Sequence, residues 1–357
     1  MIIYNDPQTD YEVRILTKGP KNTKPYFDTE TTTPDDARAL VTECSKSGQK
    51  LWIVDVQSAH RDLLLELKDG DRFCAPLGVP HGWVYLGQTK TIHRVNLFTG
   101  DLEEVADASF CRMPTSGHTE FKNGLLAASY KHDRAYYILA VTDPQTGKSE
   151  IIHRTDQLTN HTQACPGDNE SLLHINETGG DALQRMWMFN VREGIDRPYY
   201  VEKLNDWVTH ECWTRSGDQV MFCNIKAGRG KTKNDPQIGH YSTDELDEIW
   251  YGARDGQAFR CVGKGNYLHA APDVTERWIV ADDDRTGTIT LLDTKTGHNH
   301  LLLTGPKPRD GSEHCHPSFN REGDMVLFTM PRSGEGIQVG VFDLSQVSEW
   351  SAERSSG

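Results

Sequence analysis

Histidines at repeating positions are the residues of this sequence whose type and spacing point most directly to chemistry. Four of them open similar segments at intervals of 47 to 59 residues, and a fifth lies two residues before the last: His161, His210, His269, His316 and His314. Neutral imidazoles that converge suit a divalent first-row metal such as Mn, Fe, Co, Ni or Zn. The alternative is that each histidine is a turn residue of the repeat and bonds a neighbouring carbonyl group.

An arginine and two acidic features complete the set of candidates. Arg185 precedes the apolar strand-like segment MWMFN, where a guanidinium could clamp a carboxylate through two hydrogen bonds or form a structural salt bridge. The run Asp282–Asp284 is predicted to be a solvent-exposed turn. Glu211 follows His210 and should point to the other face of its strand, which makes it a poor partner for the histidines.

The elements that would position these side chains are short strands. Segments rich in Val, Ile, Tyr, Phe and Trp alternate with Gly, Asp and Asn turns, which indicates β-structure. The clearest predicted strands are Lys50–Val56, Trp83–Leu86, Arg134–Val141, Arg185–Asn190, Trp278–Ala281 and Met325–Thr329. Thr-Gly turns recur at Thr99-Gly100, Thr146-Gly147 and Thr296-Gly297. A period of about fifty residues with several strands per unit is typical of a β-propeller.

We therefore predict an all-β fold, a seven-bladed β-propeller that forms a single domain over residues 1–357. The blades are expected to begin near Pro25, Gly82, Glu120, His161, His210, His269 and His316. The last blade runs out of strands at Phe342, so Tyr11–Thr17 should supply its outer strand and close the ring. Residues 226–245 are expected to form a polar surface insertion, and residues 351–357 a frayed tail. A solenoid or a two-domain sandwich is the alternative.

A propeller explains why distant histidines could meet. The first strand of each blade lines the central channel, so equivalent positions at the start of that strand form a ring around one mouth. Because side chains alternate along an extended chain, His314 and His316 should lie on the same side.

Composition narrows the function. The 357 residues include 38 Lys and Arg against 52 Asp and Glu, a net charge of -14. This balance argues against non-specific binding of nucleic acid, and an anionic substrate would need a local positive patch or a metal. The sequence contains no run of 18 apolar residues and no apparent signal peptide, so neither membrane insertion nor secretion is expected. Scattered cysteines predict reduced thiols and a cytoplasmic protein.

Several strings resemble one enzyme family. NHTQ (Asn160–Gln163), HINETGGDALQRMW (His174–Trp187), WVTHECW (Trp207–Trp213) and HCHPSF (His314–Phe319) resemble the oligogalacturonate lyases, a family of polysaccharide lyases. The N-terminal stretch NTKPYFDTETTTPDDARALVTE resembles the first blade of that family. The similarity follows most of the chain in order and is densest over residues 160–330.

The resemblance implies a specific activity. Members of the family are seven-bladed propellers that carry a divalent metal, usually manganese, and cleave short pectin fragments by β-elimination to leave a 4,5-unsaturated uronate. By resemblance, His269, His314 and His316 are the metal ligands, His210 is the base, and Arg185 lies beside the substrate carboxylate. The expected partner is thus a small acidic oligosaccharide.

Further residues complete the predicted site. The fourth protein ligand of the family, a Gln, is replaced here by Gly311, and the nearby Glu313 could take its place. We also expect His161, Gln163 and His174, which lie in the matching strings, to contact the substrate. Three alternatives remain open: a lyase for another uronate such as a glucuronate-containing oligosaccharide, a non-catalytic propeller that binds a sugar or a protein, and a metal-dependent hydrolase or isomerase.

Overall fold

Seven antiparallel sheets build the protein, a seven-bladed β-propeller. The computed structural model describes residues 1–357 except 47, 69, 76–80, 89, 178–181, 183, 204–205, 227–245, 284, 306–313, 333 and 355–357. Contacts divide the chain into two compact units, which are Met1–Leu67 together with Asn266–Gly357, and Lys68–Gly265. The predicted insertion at 226–245 falls almost wholly outside the described residues.

The unit formed by the two ends of the chain, here called the terminal unit, contains three sheets. The N-terminal strands are β1 (Ile2–Asn5) and β2 (Glu12–Ile15). The next sheet contains β3 (Asn22–Thr23), β4 (Arg38–Ser45), β5 (Gly48–Asp55) and β6 (Arg61–Leu67).

Four sheets form the second unit, here called the middle unit. The first contains β7 (Arg72–Cys74), β8 (Trp83–Gly87), β9 (Thr91–Asn96) and β10 (Leu102–Asp107). The second contains β11 (Met113–Pro114), β12 (Thr119–Glu120), β13 (Leu126–Lys131), β14 (Tyr137–Asp143) and β15 (Lys148–Thr155). The third contains β16 (Thr159–Ala164), β17 (Ser171–Asn176), β18 (Met186–Asn190) and β19 (Ile195–Pro198). The fourth contains β20 (Val208–Trp213), β21 (Gln219–Asn224), β22 (Asp247–Ala253) and β23 (Phe259–Gly265).

The chain then returns to the terminal unit. One sheet there contains β24 (Ala270–Pro272), β25 (Trp278–Asp283), β26 (Thr288–Asp293) and β27 (His298–Thr304). The last strands are β28 (Ser318–Phe319), β29 (Met325–Arg332) and β30 (Gly336–Asp343). A 3₁₀ turn at Leu344–Gln346 and a helix, α1 (Ser348–Arg354), follow. No helix in the described part of the chain is long and apolar enough to cross a bilayer.

The repeated Thr-Gly turns explain the repeated outer hairpins. Gly100, Gly147 and Gly297 all adopt positive φ angles of 70° to 75°. Each donates its backbone N–H to the carbonyl oxygen of the residue four positions earlier, at 2.8 to 2.9 Å. Glycine adopts this left-handed conformation without steric cost, so the same short motif closes the same hairpin in three different sheets.

An N-terminal strand completes the last sheet, as predicted. β2 pairs with β30, and its residues alternate in exposure so that Val13 and Ile15 are buried while Glu12 faces solvent. β1 adds a fifth strand outside β2, which the sequence prediction did not include. The strands from the two ends of the chain therefore share one sheet within the terminal unit.

Two predicted boundaries are wrong. The second sheet begins at Arg72 rather than near Gly82, because its innermost strand is only three residues long and carries no repeat motif. Residues 351–354 of the predicted frayed tail belong to the helix Ser348–Arg354, while residues 355–357 lie outside the described residues. Trp350 is 6% exposed and anchors that helix, and the indole N–H of Trp278 donates to Glu353 at 2.7 Å.

Candidate metal centre

Four sheets present histidine at one equivalent backbone position. In each, a residue just after the first strand donates its N–H back across the first hairpin, at 2.8 to 3.1 Å: Cys165, Thr214, Asp273 and Asn320. Four residues before each donor stands a histidine, in order His161, His210, His269 and His316. The four histidines therefore occupy the same position relative to the first hairpin of their sheets, as the repeat predicted.

Three of these histidines adopt an unusual backbone conformation. His161, His210 and His316 have positive φ angles of 43°, 55° and 44°. His161 and His210 lie inside β16 and β20, where the ladder register shifts, rather than at the start of the strand as predicted. A bulge of this kind re-aims a side chain, and a non-glycine residue in the left-handed region needs support from its surroundings.

His269, His314 and His316 converge within the terminal unit. Each offers one ring nitrogen, and these three atoms lie within 4.8 Å of one another. The ring centroids of His269 and His316 are 4.2 Å apart, and those of His269 and His314 are 5.2 Å apart. His269 is buried, whereas the other two side chains are partly exposed. Three converging imidazoles suit a divalent first-row metal and leave further coordination positions for solvent or substrate.

Asp282 is the residue of this centre that sequence analysis missed. It is 1% exposed at the end of β25, so the predicted solvent-exposed turn is wrong for Asp282 and also for the buried Asp283, while Asp284 lies outside the described residues. Both carboxylate oxygens of Asp282 lie 3.1 Å from His269 Nδ1. The backbone N–H groups of His269 and His316 donate to the same carboxylate at 2.8 and 3.1 Å.

The charges around the centre oppose the cost of burial. Burial by itself raises the pKa of Asp282. The charge of His269, the two hydrogen bonds that His269 donates and the charge of His314 together lower this pKa by more, so the net shift is downward. Burial lowers the pKa of Lys24 to about 7, although the charges of Asp28 and Asp282 raise it. The ammonium group of Lys24 donates to the Pro25 carbonyl at 2.8 Å.

Two aromatic rings from the N-terminal segment pack against the histidines. The Tyr26 ring meets His316 edge-on at 4.8 Å between centroids and His269 at 6.0 Å. The Phe27 ring lies 5.8 Å from His269 and is 3% exposed. Both residues belong to the stretch that resembles the first blade of the lyases, but no feature of the sequence indicated that they would contact the histidines.

Arg185 belongs to a cluster of charged side chains in the middle unit. It is 4% exposed, its Nε lies 2.5 Å from Glu211 Oε1, and its Nη1 lies 2.9 Å from Glu177 Oε2. Burial lowers the pKa of Arg185, but both carboxylates raise it, and the net shift is upward. Glu211, which sequence analysis set aside, is fully buried and is the main partner of this arginine. The guanidinium group thus forms the structural salt bridge left open as the alternative.

A third carboxylate makes this cluster acidic. Glu202 Oε1 accepts the backbone N–H of Arg185 at 2.5 Å. Burial raises the pKa of Glu202 to about 7, and the charge of Glu211 adds to the increase, while the Arg185 hydrogen bond opposes it. Arg185 therefore pairs its guanidinium with two carboxylates and donates its backbone N–H to a third.

The other predicted substrate contacts have different surroundings. Gln163 is 4% exposed, its amide donates to the Glu211 carbonyl at 2.8 Å and its oxygen accepts the Trp213 N–H at 3.2 Å, so it joins β16 to β20. His174 is 2% exposed, and its Nε2 lies 3.1 Å from Asp196 Oδ1. Such burial argues against a substrate contact for either side chain. His161 and His210 are partly exposed. Gly311 and Glu313 lie outside the described residues.

Comparison with known proteins shows similarity in structure. No protein-family model matches the chain, and no curated protein matches it by sequence. An oligogalacturonate lyase solved in complex with manganese superimposes with a TM-score of 0.81 at 18% identity, covering 96% of each chain. The oligogalacturonate lyase of Vibrio parahaemolyticus gives 0.78 at 17% identity, again covering 96% of each chain. The propeller domain of Myceliophthora thermophila Cps50 (Swd1) gives 0.59 at 11% identity, over 92% of this chain and 99% of that one.

The chain is more similar in structure to the two lyases than to the Cps50 propeller domain. Both lyases match the chain over nearly its whole length with higher TM-scores than the Cps50 domain does. At such low sequence identity, the similarity shows a shared fold and does not show a shared activity. The chain is therefore a seven-bladed β-propeller whose fold is that of the oligogalacturonate lyases.

Proposed function

We propose that this protein is a metal-dependent lyase that cleaves short 4-linked uronate oligosaccharides by β-elimination. The observation that carries the proposal is the convergence of three imidazole nitrogens from His269, His314 and His316 within 4.8 Å. The fold shared with a manganese-bound oligogalacturonate lyase supports manganese as the cation and oligogalacturonides as the substrate class. The scattered cysteines support a reducing, cytoplasmic setting.

The chemistry requires a weak carbon acid to lose a proton. A bound divalent cation supplies Lewis-acid stabilisation of the uronate carboxylate while negative charge develops on it. We propose that His210 accepts the C5 proton, for which a neutral imidazole near pH 7 is suited. The electron pair of the C5–H bond forms the C4–C5 double bond as the C4–O bond breaks. The leaving oxygen takes the electrons of that bond and a proton from solvent.

Arg185 receives a different role from the one that the resemblance implied. Its guanidinium already pairs with Glu211, the residue next to His210 along β20. We therefore propose that Arg185 positions this strand, and that the substrate carboxylate relies on the cation. His161 is proposed to contact the substrate, because it is partly exposed and occupies the position equivalent to His210.

A direct assay tests the proposal. Oligogalacturonides and glucuronate-containing oligosaccharides are incubated with the protein, with Mn²⁺ or with a chelator, and the ultraviolet absorbance of the conjugated enoate is followed. We expect absorbance to rise with oligogalacturonides only in the presence of the metal. A rise with glucuronate substrates alone would change the substrate class, and hydrated sugars without the enoate band would indicate a hydrolase. Binding without any product would leave a non-catalytic propeller and overturn the lyase proposal.

A further inference from the structure

Asp282 is bonded to two of the three residues of the metal centre. Its oxygens lie 3.1 Å from His269 Nδ1 and accept the backbone N–H groups of His269 and His316 at 2.8 and 3.1 Å. The side chain is 1% exposed, and burying a carboxylate is costly unless donors surround it. The hydrogen-bond donors described above all belong to His269 and His316.

The ring contact determines which nitrogen of His269 is available. A carboxylate can only accept hydrogen bonds, so a neutral His269 next to it carries its proton on Nδ1. Nε2 then keeps its lone pair and can bind a cation. Carboxylates that accept a hydrogen bond from a metal-binding histidine fix its tautomer and orientation in this way.

The backbone contact acts on the second histidine. His316 has a φ angle of 44°, a conformation that costs a non-glycine residue free energy and persists only where neighbouring groups hold it. The hydrogen bond from its N–H to Asp282 supplies such support at the residue itself. The ring of His316 then lies 4.2 Å from that of His269, between centroids.

We propose that Asp282 is the positioning residue of the metal centre: it holds His269 with Nε2 directed to the cation and fixes the backbone that presents His316. This inference rests on the proposed metal centre and assigns Asp282 no contact with the substrate. Removing the carboxylate should weaken metal binding even where the protein stays folded. An amide in its place cannot serve all the donors, because its nitrogen is itself a donor.

Metal binding provides the first test. The affinity for Mn²⁺ is measured by titration calorimetry and by the electron paramagnetic resonance of free Mn²⁺, with the whole chain and without substrate. We expect D282N to bind Mn²⁺ about 10- to 100-fold more weakly than the parent protein. The matched control is D283N, because Asp283 is a buried neighbour on the same strand whose side chain accepts hydrogen bonds from Arg285 and Thr286. We expect the control to bind as tightly as the parent.

Histidine tautomers provide the second test, which does not depend on how well the variant folds. In the metal-free parent protein at neutral to mildly alkaline pH, ¹⁵N–¹H correlation spectra should show His269 protonated on Nδ1. Protonation on Nε2, or an affinity of folded D282N equal to that of the parent, would overturn the positioning role. A parent protein that binds no Mn²⁺ would instead overturn the proposed function, while the tautomer would still report on Asp282.

Discussion

Two clusters of charged and titratable side chains in this protein differ in whether their polar groups are already paired with one another. In the terminal unit, three imidazoles converge and a buried carboxylate lies behind them. In the middle unit, the buried guanidinium of Arg185 is already paired with two carboxylates, and a third carboxylate accepts the backbone N–H of Arg185. The first cluster gathers ring nitrogens that suit a cation, whereas in the second cluster the arginine and the carboxylates neutralise one another.

The comparison shows that an equivalent backbone position does not by itself make a cluster of metal-ligand atoms. His210 and His316 both have left-handed backbones at the same position of the repeat. His316 has two neighbours, His269 and His314, and one ring nitrogen of each of the three residues lies within 4.8 Å of the others. The residue after His210 is an acid that pairs with Arg185, whereas Pro317 follows His316. Neighbouring side chains therefore decide what each position does.

The largest expected effect comes from removing two ligands of the terminal cluster. The double variant H314A/H316A should lose bound Mn²⁺ and all measurable lyase activity, because a single remaining imidazole cannot hold the cation. Metal content by mass spectrometry and the enoate assay check this. The matched control is H298A/H300A, which removes another His-x-His pair, on β27, and should keep both. Full metal retention in H314A/H316A would break the comparison.

Removing His210 tests the proposed base. H210A should lower kcat by about 10²- to 10⁴-fold, the usual contribution of a general base, while the bound metal stays unchanged. H161A, at the equivalent position in the preceding sheet, should mainly raise KM. Metal content and steady-state kinetics distinguish the two. Loss of metal in H210A would make His210 a ligand rather than a base.

The middle cluster should respond in stability. E211Q leaves Arg185 buried without its main partner, and breaking a buried ion pair in this way costs about 3 kcal/mol. Thermal and denaturant unfolding measure the loss. The control E170Q removes the partner of Arg192, whose side chain is 76% exposed, and should cost about 1 kcal/mol or less. Equal losses in E211Q and E170Q would show that the Arg185 cluster is not structural.

The smallest effect concerns the pH dependence of stability. Glu202 keeps its proton in the folded protein from its ordinary pKa of 4.5 up to about 7, whereas the unfolded chain releases it. The folded state binds more protons in this window, so this group makes the free energy of unfolding fall as the pH rises through it. E202Q should flatten that slope in melting curves taken from pH 4.5 to 7. The same slope in E202Q as in the parent would show that Glu202 does not titrate there.

Much of the architecture could be predicted because it depends on local patterns. Alternating apolar residues and Thr-Gly turns act within one hairpin, so strands such as β8, β25 and β29 were found close to their observed bounds. The three-residue strand β7 was missed because so short a segment has no alternation to detect. α1 was missed because it is short and contains one buried anchor, Trp350.

The sequence alone determined the repeat and the propeller, because a fixed period places equivalent residues at equivalent positions, and it pointed to five histidines near one mouth. The choice of His269, His314 and His316 among them was implied by the resemblance to the oligogalacturonate lyases. Only the tertiary structure decided that Asp282 bonds the ring of His269 and the backbone of His316, and that Arg185 is paired with Glu211. An acid at a strand end has the same local sequence pattern whether water or another strand covers it. Burial and partners depend on residues brought together from distant parts of the chain, and these set the role of each charged group.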